Sequence, residues 1–228
     1  MMEFGTPQFW FAALQIVLIN ILLSGDNAVV IGLACRNLSP QQRKHGIFWG
    51  ILVAIVLRIV LTFFAVSLLS NPYLKLAGGA LLLGIGVKLV AERGGERNVK
   101  ASDRLLAAIW TIIVADLVMS IDNVMGVAAA AKGYIPLIVF GLAVSIPIVV
   151  LGSQMVMGLI ARFPVLVLAG GGLLGYIAGE MAIEDPAIAP WIAANAAESS
   201  QWAPALGFAL VVAVGLGLSR LRKAHKAR

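Results

Sequence analysis

The sequence predicts an all-α fold: a polytopic membrane bundle of about seven transmembrane helices, arranged as two inverted three-helix repeats plus one extra C-terminal helix. Three observations carry this. Of 228 residues, 61% are hydrophobic and only 12% charged, against about 45–50% and about 25% in soluble globular chains. Apolar stretches of bilayer-spanning length, ~20 residues each, recur along the chain. Two motifs of the first half return, in order, in the second. The composition excludes a soluble enzyme, a disordered tail and a nucleic-acid module, and leaves one membrane domain over 1–228.

The apolar stretches run 9–34, 46–69, 73–91, 105–131, 134–158, 164–183 and 203–220. No Lys or Arg precedes Arg36, so the first stretch lacks the basic flank of a signal peptide and is expected to be retained. NLSPQQRKHG and SNPY bound the second stretch, and their Pro, Gly and charged residues are helix breakers or solvated ends. A basic connection, ERGGERNVKASDR over 92–104, closes the first unit, 9–91. AKGYIP and ARFP divide the second unit, 105–183, into its own three spans. An extracytoplasmic loop over 184–202 leads to the seventh helix, 203–220, and a basic tail, 221–228. Gly is frequent, 24 residues, and lies mostly within the spans, where it lets helices approach closely.

Lys and Arg total 17 against 11 acids, but they sit between apolar runs rather than on one folded face, so no nucleic-acid partner is expected. The connections after spans 1, 3 and 5 and the C-terminal tail hold Arg36, Arg43, Lys44, Arg93, Arg97, Lys100, Arg104 and Arg162, then Arg220, Arg222, Lys223, Lys226 and Arg228. The opposite side holds Lys75 and Lys132. The positive-inside bias puts the N-terminus outside and the tail in the cytoplasm. Trp10, Trp191 and Trp202 then fall at the outer interface, and Trp49 and Trp110 at the inner one, as an aromatic belt would.

Six charges remain inside spans: Arg58, Lys88, Asp26, Asp116, Asp122 and Glu180. Each costs ~2.5–3.5 kcal/mol at a helix centre on insertion scales, which calls for a use.

Asn20-Ile-Leu-Leu-Ser24-Gly-Asp26-Asn27 is repeated as Asp116-Leu-Val-Met-Ser120-Ile-Asp122-Asn123, at an offset of 96. AGGALLLGIGVKL from Ala77 is repeated as AGGGLLGYIAGEM from Ala169, at an offset of 92. Units of three spans start on opposite sides of the membrane, because three is odd. Inverted repeats of this kind place transporter sites near the midplane, between the halves. The second alignment sets Lys88 against Glu180; both are read either as snorkelling ends or as gating charges at opposite mouths.

Asp26 and Asp122 fall near mid-bilayer. Asn20, Ser24 and Asn27 recur along one helical stripe, as do Asp116, Ser120 and Asn123. The two Asp lie beside these stripes, and Gly25 would let the first helix unwind to gather the oxygens. Carboxylate, amide and hydroxyl oxygens are hard ligands, suited to Mg²⁺, Ca²⁺ or Mn²⁺. His45 and His225 lie in cytoplasmic segments and Cys35 near the membrane edge, so a Zn²⁺ or Cu⁺ centre in the membrane is not expected. Met119 and Met125 flank Asp122; as soft ligands they would tilt selectivity toward Mn²⁺, and as packing residues they would fill the core. Arg58 is read both as a structural counter-ion and as a charge that repels cations during a cycle. A polar-glue role, with Asn and Ser bonding across helices, would leave acid unpaired against one deep Arg.

At these residues the chain resembles the TerC family of membrane proteins, within the wider LysE-like transporter group. LLSGDNAVVIG and VMSIDNVMGVA resemble that family's paired acidic-DN signatures, and GGALLLGIGVKL its third-helix motif. The likeness extends over nearly the whole chain. It implies tellurite-resistance or Mn²⁺-efflux associations, with Asp26, Asn27, Asp122 and Asn123 as metal-site residues and Asp116 beside them. Many family members have Glu where this chain has Asn20, a departure that lowers the charge of the first copy and matches the shorter SGDN branch.

The expected function is export of a divalent cation, Mn²⁺ first, across a bacterial-type inner membrane by alternating access around the paired motifs. Asp116 or Glu180 would carry a coupling proton. The expected partners are the bilayer, the cation, protons and a second copy of the chain. The cation is cargo and no prosthetic group is expected. An enzyme is not expected either, since no nucleophile–base pair, His-rich centre or G-x-x-x-x-G-K-[ST] loop occurs. Two rivals stand: a LysE-like exporter of amino acids or other small organic solutes, and a non-transporting scaffold for metal delivery or tellurite resistance.

Overall fold

The structure is a computed structural model. It describes the backbone of residues 7–22, 25–69, 71–92, 101–131 and 135–226, and within these the side chains of all but 7–8, 12, 16, 19–22, 25, 58, 62–63, 65–69, 101, 122–131, 135–146, 148–149, 199, 223 and 225–226. The described elements are helices throughout: α1 (Pro7–Leu22), α2 (Gly25–Cys35), α3 (Pro40–Leu69), α4 (Leu74–Ala91), α5 (Ala101–Ala131), α6 (Ile135–Arg162), α7 (Leu166–Ile183), α8 (Ala189–Asn195), α9 (Ala197–Ser200) and α10 (Ala203–Lys226). Five of them contain stretches long and apolar enough to cross a membrane: Pro40–Leu61, Leu74–Ala91, Ser102–Ile121, Leu166–Ile183 and Ala203–Arg222. Asp26–Cys35 and Val150–Arg162 add shorter apolar helices. The chain is a polytopic membrane helix bundle.

The described residues of the apolar stretches lie on helix apart from short turns at Tyr73 and at 164–165, and several helices outrun the stretches. α3 begins at Pro40, six residues before its apolar stretch, and α10 continues to Lys226. A helix carries its polar turns into the interface, because its backbone bonds are internal and do not depend on the surrounding medium. The start of α3 is set locally. The Ser39 hydroxyl accepts from Gln42 N–H, and the Gln42 side chain accepts from Ser39 N–H, both at 3.4 Å. This is a reciprocal capping box, with Pro40 at the first helical position. Residues 184–202, expected as a loop, carry the two short helices α8 and α9.

Packing follows the two halves. α3 lies on α5, and α1 and α2 lie on α6; α2 meets α7, and α4 meets α5; α4 and α7 pair with each other. Exchanging the halves reproduces the same set. α10 packs on both α4 and α7 and has no counterpart.

Glycine approaches give the directions. A Cβ on Gly79 would stand 2.9 Å from the Ala178 carbonyl oxygen, and one on Gly86 would stand 2.9 Å from that of Gly171. As the α4 number rises the α7 number falls, so these two helices run antiparallel. Gly46 faces Leu105 and Gly50 faces Ile112, so α3 and α5 run parallel. Ala28 faces Gly152 and Val156 faces Gly32, so α2 and α6 do as well.

Two apolar clusters fill the bundle. One joins Val30 and Leu33 of α2 to Leu82 and Leu89 of α4, Val118 and Met119 of α5, and Leu174 of α7. The other joins α2, α3, α5 and α6 around Cys35, Ile47, Ile112 and Met157. All five Trp are at least half exposed, from 50% at Trp49 to 67% at Trp110, as residues of a lipid-facing belt would be.

Candidate functional site

The first motif opens α2. Asp26 stands in its first turn, half-buried, and its Oδ1 accepts from Asn27 N–H at 2.7 Å. A carboxylate at a helix start is favoured by the backbone N–H groups left open there. Asn27 is 5% exposed, and its Oδ1 finds no hydrogen-bond partner among the described residues. A buried amide oxygen left unmatched costs about 1–3 kcal/mol, so its place beside a carboxylate is chemically informative. Among the described residues it is an open hard-oxygen ligand.

The second motif lies within α5, whose helical backbone continues through Asp122 and Asn123 to Ala131. Ile121 stands where the first copy has Gly25, so the residue that would ease unwinding is absent and the helix is unbroken. One turn earlier, Asp116 is 8% exposed and Ser120 fully buried, and the Ser120 hydroxyl donates to Asp116 Oδ2 at 3.2 Å. The i, i+4 spacing that marked these residues in the sequence thus brings them into contact. Thr111 below them turns its hydroxyl back to the Ala107 carbonyl at 2.7 Å.

Met119 is 5% exposed and sits in the apolar cluster with Val118, Leu82 and Leu174, where it packs. Lys88 is exposed near the end of α4, and Glu180 is half-buried near the end of α7. The side chains of Asn20, Arg58, Asp122, Asn123 and Met125, and all of Ser24, lie outside the described residues. Among the described residues, no three His, Cys, Asp or Glu gather into a group that could hold a metal. The described site is therefore two polar pairs, Asp26–Asn27 on α2 and Asp116–Ser120 on α5, carried by helices that pack together.

One polar residue escaped the sequence reading. Asp185 has no exposed surface, and it accepts from Tyr73 N–H at 2.9 Å, Ala187 N–H at 2.8 Å and Leu76 N–H at 3.0 Å. Burial alone would raise its carboxyl, but backbone donors at Ala187, Tyr73, Leu76 and Lys75 outweigh that and hold it below the usual carboxylate value. Tyr73 takes a left-handed backbone, φ 68°, to start α4. Asp-Pro after α7 signals a turn; nothing local signals that its carboxylate serves a helix in the other half.

The model of the family described as "Integral membrane protein TerC family" matches residues 5–227. The chain belongs to the TerC family. Within it, the chain is similar to the "Uncharacterized membrane protein YjbE" of Bacillus subtilis (strain 168), 41% identical over 185 residues, or 81% of this chain and 85% of that protein. It is also similar to "Uncharacterized membrane protein YceF" of the same organism, at 24% identity over 60% of this chain and 57% of that one. The "UPF0053 inner membrane protein YgdQ" of Escherichia coli (strain K12) is 27% identical over 52% of this chain and 58% of that one. No solved structure matches. The resemblance drawn from the paired DN motifs thus holds over nearly the whole chain, and the motif stretches fall on α5, on α4 and, from Gly25 onward, on α2.

Proposed function

We propose that this TerC protein exports a divalent cation, Mn²⁺ first, by alternating access, with Asp26 and Asn27 of α2 and Asp122 and Asn123 of α5 holding the ion. The observation that carries the reading is the buried Asn27 Oδ1, without a partner among the described residues and adjacent to the Asp26 carboxylate. A hard cation would find an oxygen ligand in each of them. Asp116 supplies a further buried carboxylate with its own hydroxyl donor, suited to carry a proton in exchange. YgdQ is described as an inner membrane protein, which supports the same membrane here. The basic residues of the odd connections favour an N-terminus outside and a tail in the cytoplasm. The ion is cargo, the bilayer is the partner, and no enzymatic step is assigned.

The test is flux in proteoliposomes, with Mn²⁺ challenged by Mg²⁺, Ca²⁺ and Zn²⁺. Asp26→Asn and Asp122→Asn are each expected to lower Mn²⁺ flux by about tenfold or more, equivalent to ~1.4 kcal/mol or more. Wild-type flux in both variants, with each protein inserted normally, overturns the reading. Movement of an amino acid in place of any cation points to the LysE-like alternative.

A further inference from the structure

Six polar residues are buried among the described ones: Asn27, Thr111, Asp116, Ser120, Ser153 and Asp185. Asp185 is committed to the cap of α4. The other five stand on α2, α5 and α6, three helices that all pack on one another. Ser153, on α6, belongs to neither repeated motif.

The apolar cluster around Cys35 sets their heights. A Cβ on Gly46 would touch Cys35 and Leu38, at the end of α2, together with Leu105, near the start of α5. α2 and α5 therefore run antiparallel, while α6 runs with α2. The cluster holds Ile31, Ile112 and Met157, one from each of these helices. Asn27 precedes Ile31 by four residues, Asp116 follows Ile112 by four, and Ser153 precedes Met157 by four. A step of four keeps to one helix face and moves about 6 Å along the axis. With the helix directions as they are, all three steps lead the same way, away from the turn between α2 and α3. A Cβ on Gly152 would stand 3.5 Å from that of Ala28, so the adjacent Asn27 and Ser153 share a height. The three polar residues form one layer, floored by the apolar cluster.

This layer offers oxygen lone pairs. The Ser153 hydroxyl donates back to the Val150 carbonyl at 2.8 Å, so it can only accept from, or ligate, anything else. Ser120 gives its hydrogen to Asp116 Oδ2, and Asn27 Oδ1 has no partner among the described residues. A carboxylate, an amide oxygen and a hydroxyl with its hydrogen committed elsewhere suit a hard cation. Back-bonding alone is ordinary for a helical serine or threonine; Thr111 does the same beside Ile112, at the height of the floor. Ser153 differs in standing level with Asn27 and Asp116.

We propose that Ser153 is a ligand of the transported cation, which sits in this layer among Asn27 Oδ1, an Asp116 oxygen and Ser153 Oγ, with the apolar cluster barring its way toward the α2–α3 turn. The proposal deepens the export reading and rests on it for the cargo. It brings α6 into the site and makes Asp116 a direct ligand. A carboxylate that holds the ion in one half of the cycle can hold a proton in the other.

Mn²⁺ binding by the purified full-length protein in detergent tests this, read from the electron paramagnetic resonance signal of unbound Mn²⁺ and independent of transport. Ser153→Ala and Asp116→Asn, both close to isosteric, are each expected to weaken binding about tenfold or more. The readout that packing alone would not move is Ser153→Cys in a Cys35→Ala background. A thiolate is a soft ligand, so this variant is expected to bind Cd²⁺ about tenfold or more tighter than its Cys35→Ala parent. It should also show the ultraviolet charge-transfer band of a Cd²⁺–thiolate bond. Thr111→Cys in the same background is the control, expected to show neither change. Unchanged Mn²⁺ affinity in Ser153→Ala, with no Cd²⁺ band in Ser153→Cys, overturns the proposal, and so does an equal band in Thr111→Cys. The export reading outlives that result if Asp26→Asn and Asp122→Asn still lower Mn²⁺ flux. A Cd²⁺ band in Ser153→Cys, in a protein whose wild type carries no cation into proteoliposomes, supports the ligand and overturns the export reading instead.

Discussion

α4 and α7 carry the same motif, yet α7 has glycine where α4 does not. The shared glycines, Gly78 and Gly79 with Gly170 and Gly171, face the opposite half. Those that α7 has alone, Gly172, Gly175 and Gly179, stand where α4 has Ala80, Leu83 and Val87. All three face α10: Gly172 meets Phe208, Gly175 meets Gly207, and Gly179 meets Ala203 and Pro204. The repeat is therefore kept where the halves meet and altered where the unpaired helix docks. A departure between the copies reads as the footprint of α10, with no loss of the symmetry beneath it.

The strongest way to break this comparison is to give α7 the residue that α4 has. Gly175→Leu places a large side chain against the Gly207 carbonyl and Val211, where neither backbone can yield. Overpacking typically costs 1–3 kcal/mol and occasionally more; here the obstacle is backbone, so about 3 kcal/mol or above is expected, seen as a sharp fall in the midpoint of thermal unfolding in detergent. Gly84→Ala on α4 is the control. Nothing lies within 4 Å of its new Cβ, and a helical Gly→Ala change should be neutral or stabilising by about 0.5–1 kcal/mol. Equal losses in the two variants would end the argument that these glycines are specific to a crossing.

The same contrast shows what the sequence could disclose. The described residues of the apolar stretches are helical apart from short turns, and Asp26–Asn27 and Asp122–Asn123 lie on α2 and α5, which pack together. Periodicity and composition suffice for that, because burial in lipid demands continuous apolar helix. The i, i+4 relation of Asp116 and Ser120 was legible for the same reason: local geometry decides it. The footprint of α10 was not, since Gly172, Gly175 and Gly179 read as helix glycine until a partner is known. Asp185 was hidden too. Its donor at Tyr73 lies 112 residues away in sequence, and no local pattern predicts a cap supplied by the other half. Of the unwinding expected at Ser24 and Gly25, Ser24 lies outside the described residues and Gly25 opens α2, while α5 runs unbroken through the second copy.

A second contrast lies at the N-terminal ends of the same two helices. α7 satisfies its first N–H groups from the turn before it: Leu166 N–H bonds to the Phe163 carbonyl at 3.0 Å and Leu168 N–H to that of Val165 at 2.9 Å. α4 relies on Asp185. Asp185→Asn keeps one acceptor oxygen and loses the other, with an expected loss of about 2 kcal/mol, in the range of hydrogen bonds to charged groups. The pH dependence has a definite sign. The folded-state pKa is depressed, so the carboxylate's contribution is fully present above the unfolded value, about 3.9, and is lost as pH falls through the lower folded value. Unfolding midpoints of wild type and Asp185→Asn should stand apart at neutral pH and converge below about pH 4. A gap that persists unchanged to lower pH would mean that the carboxylate charge is not what caps α4.

The smallest effect belongs to the ion pair beside that cap. Lys75 Nζ lies 2.9 Å from Glu184 Oε2, with side-chain exposures of 12% and 56%. The places matching them on the other half are Val167 and Glu92, so the lysine is a feature of the Asp185 end alone. A pair with one partner so open to solvent is screened and gains little, typically 0–1 kcal/mol. Lys75→Met is therefore expected to shift stability by about 0.5 kcal/mol or less, and less again at high salt. Its use is diagnostic. If Asp185 alone joins the ends of α4 and α7, the Lys75→Met effect will be the same in wild type and in Asp185→Asn, as independent sites add. If the two act together, Lys75→Met in the Asp185→Asn protein will differ from its effect in wild type by more than the ~0.5 kcal/mol that separates additive from coupled neighbours. These ends of α4 and α7 would then be held by one network of charge and backbone, and the Asp185→Asn effect would have to be reassigned to the network as a whole.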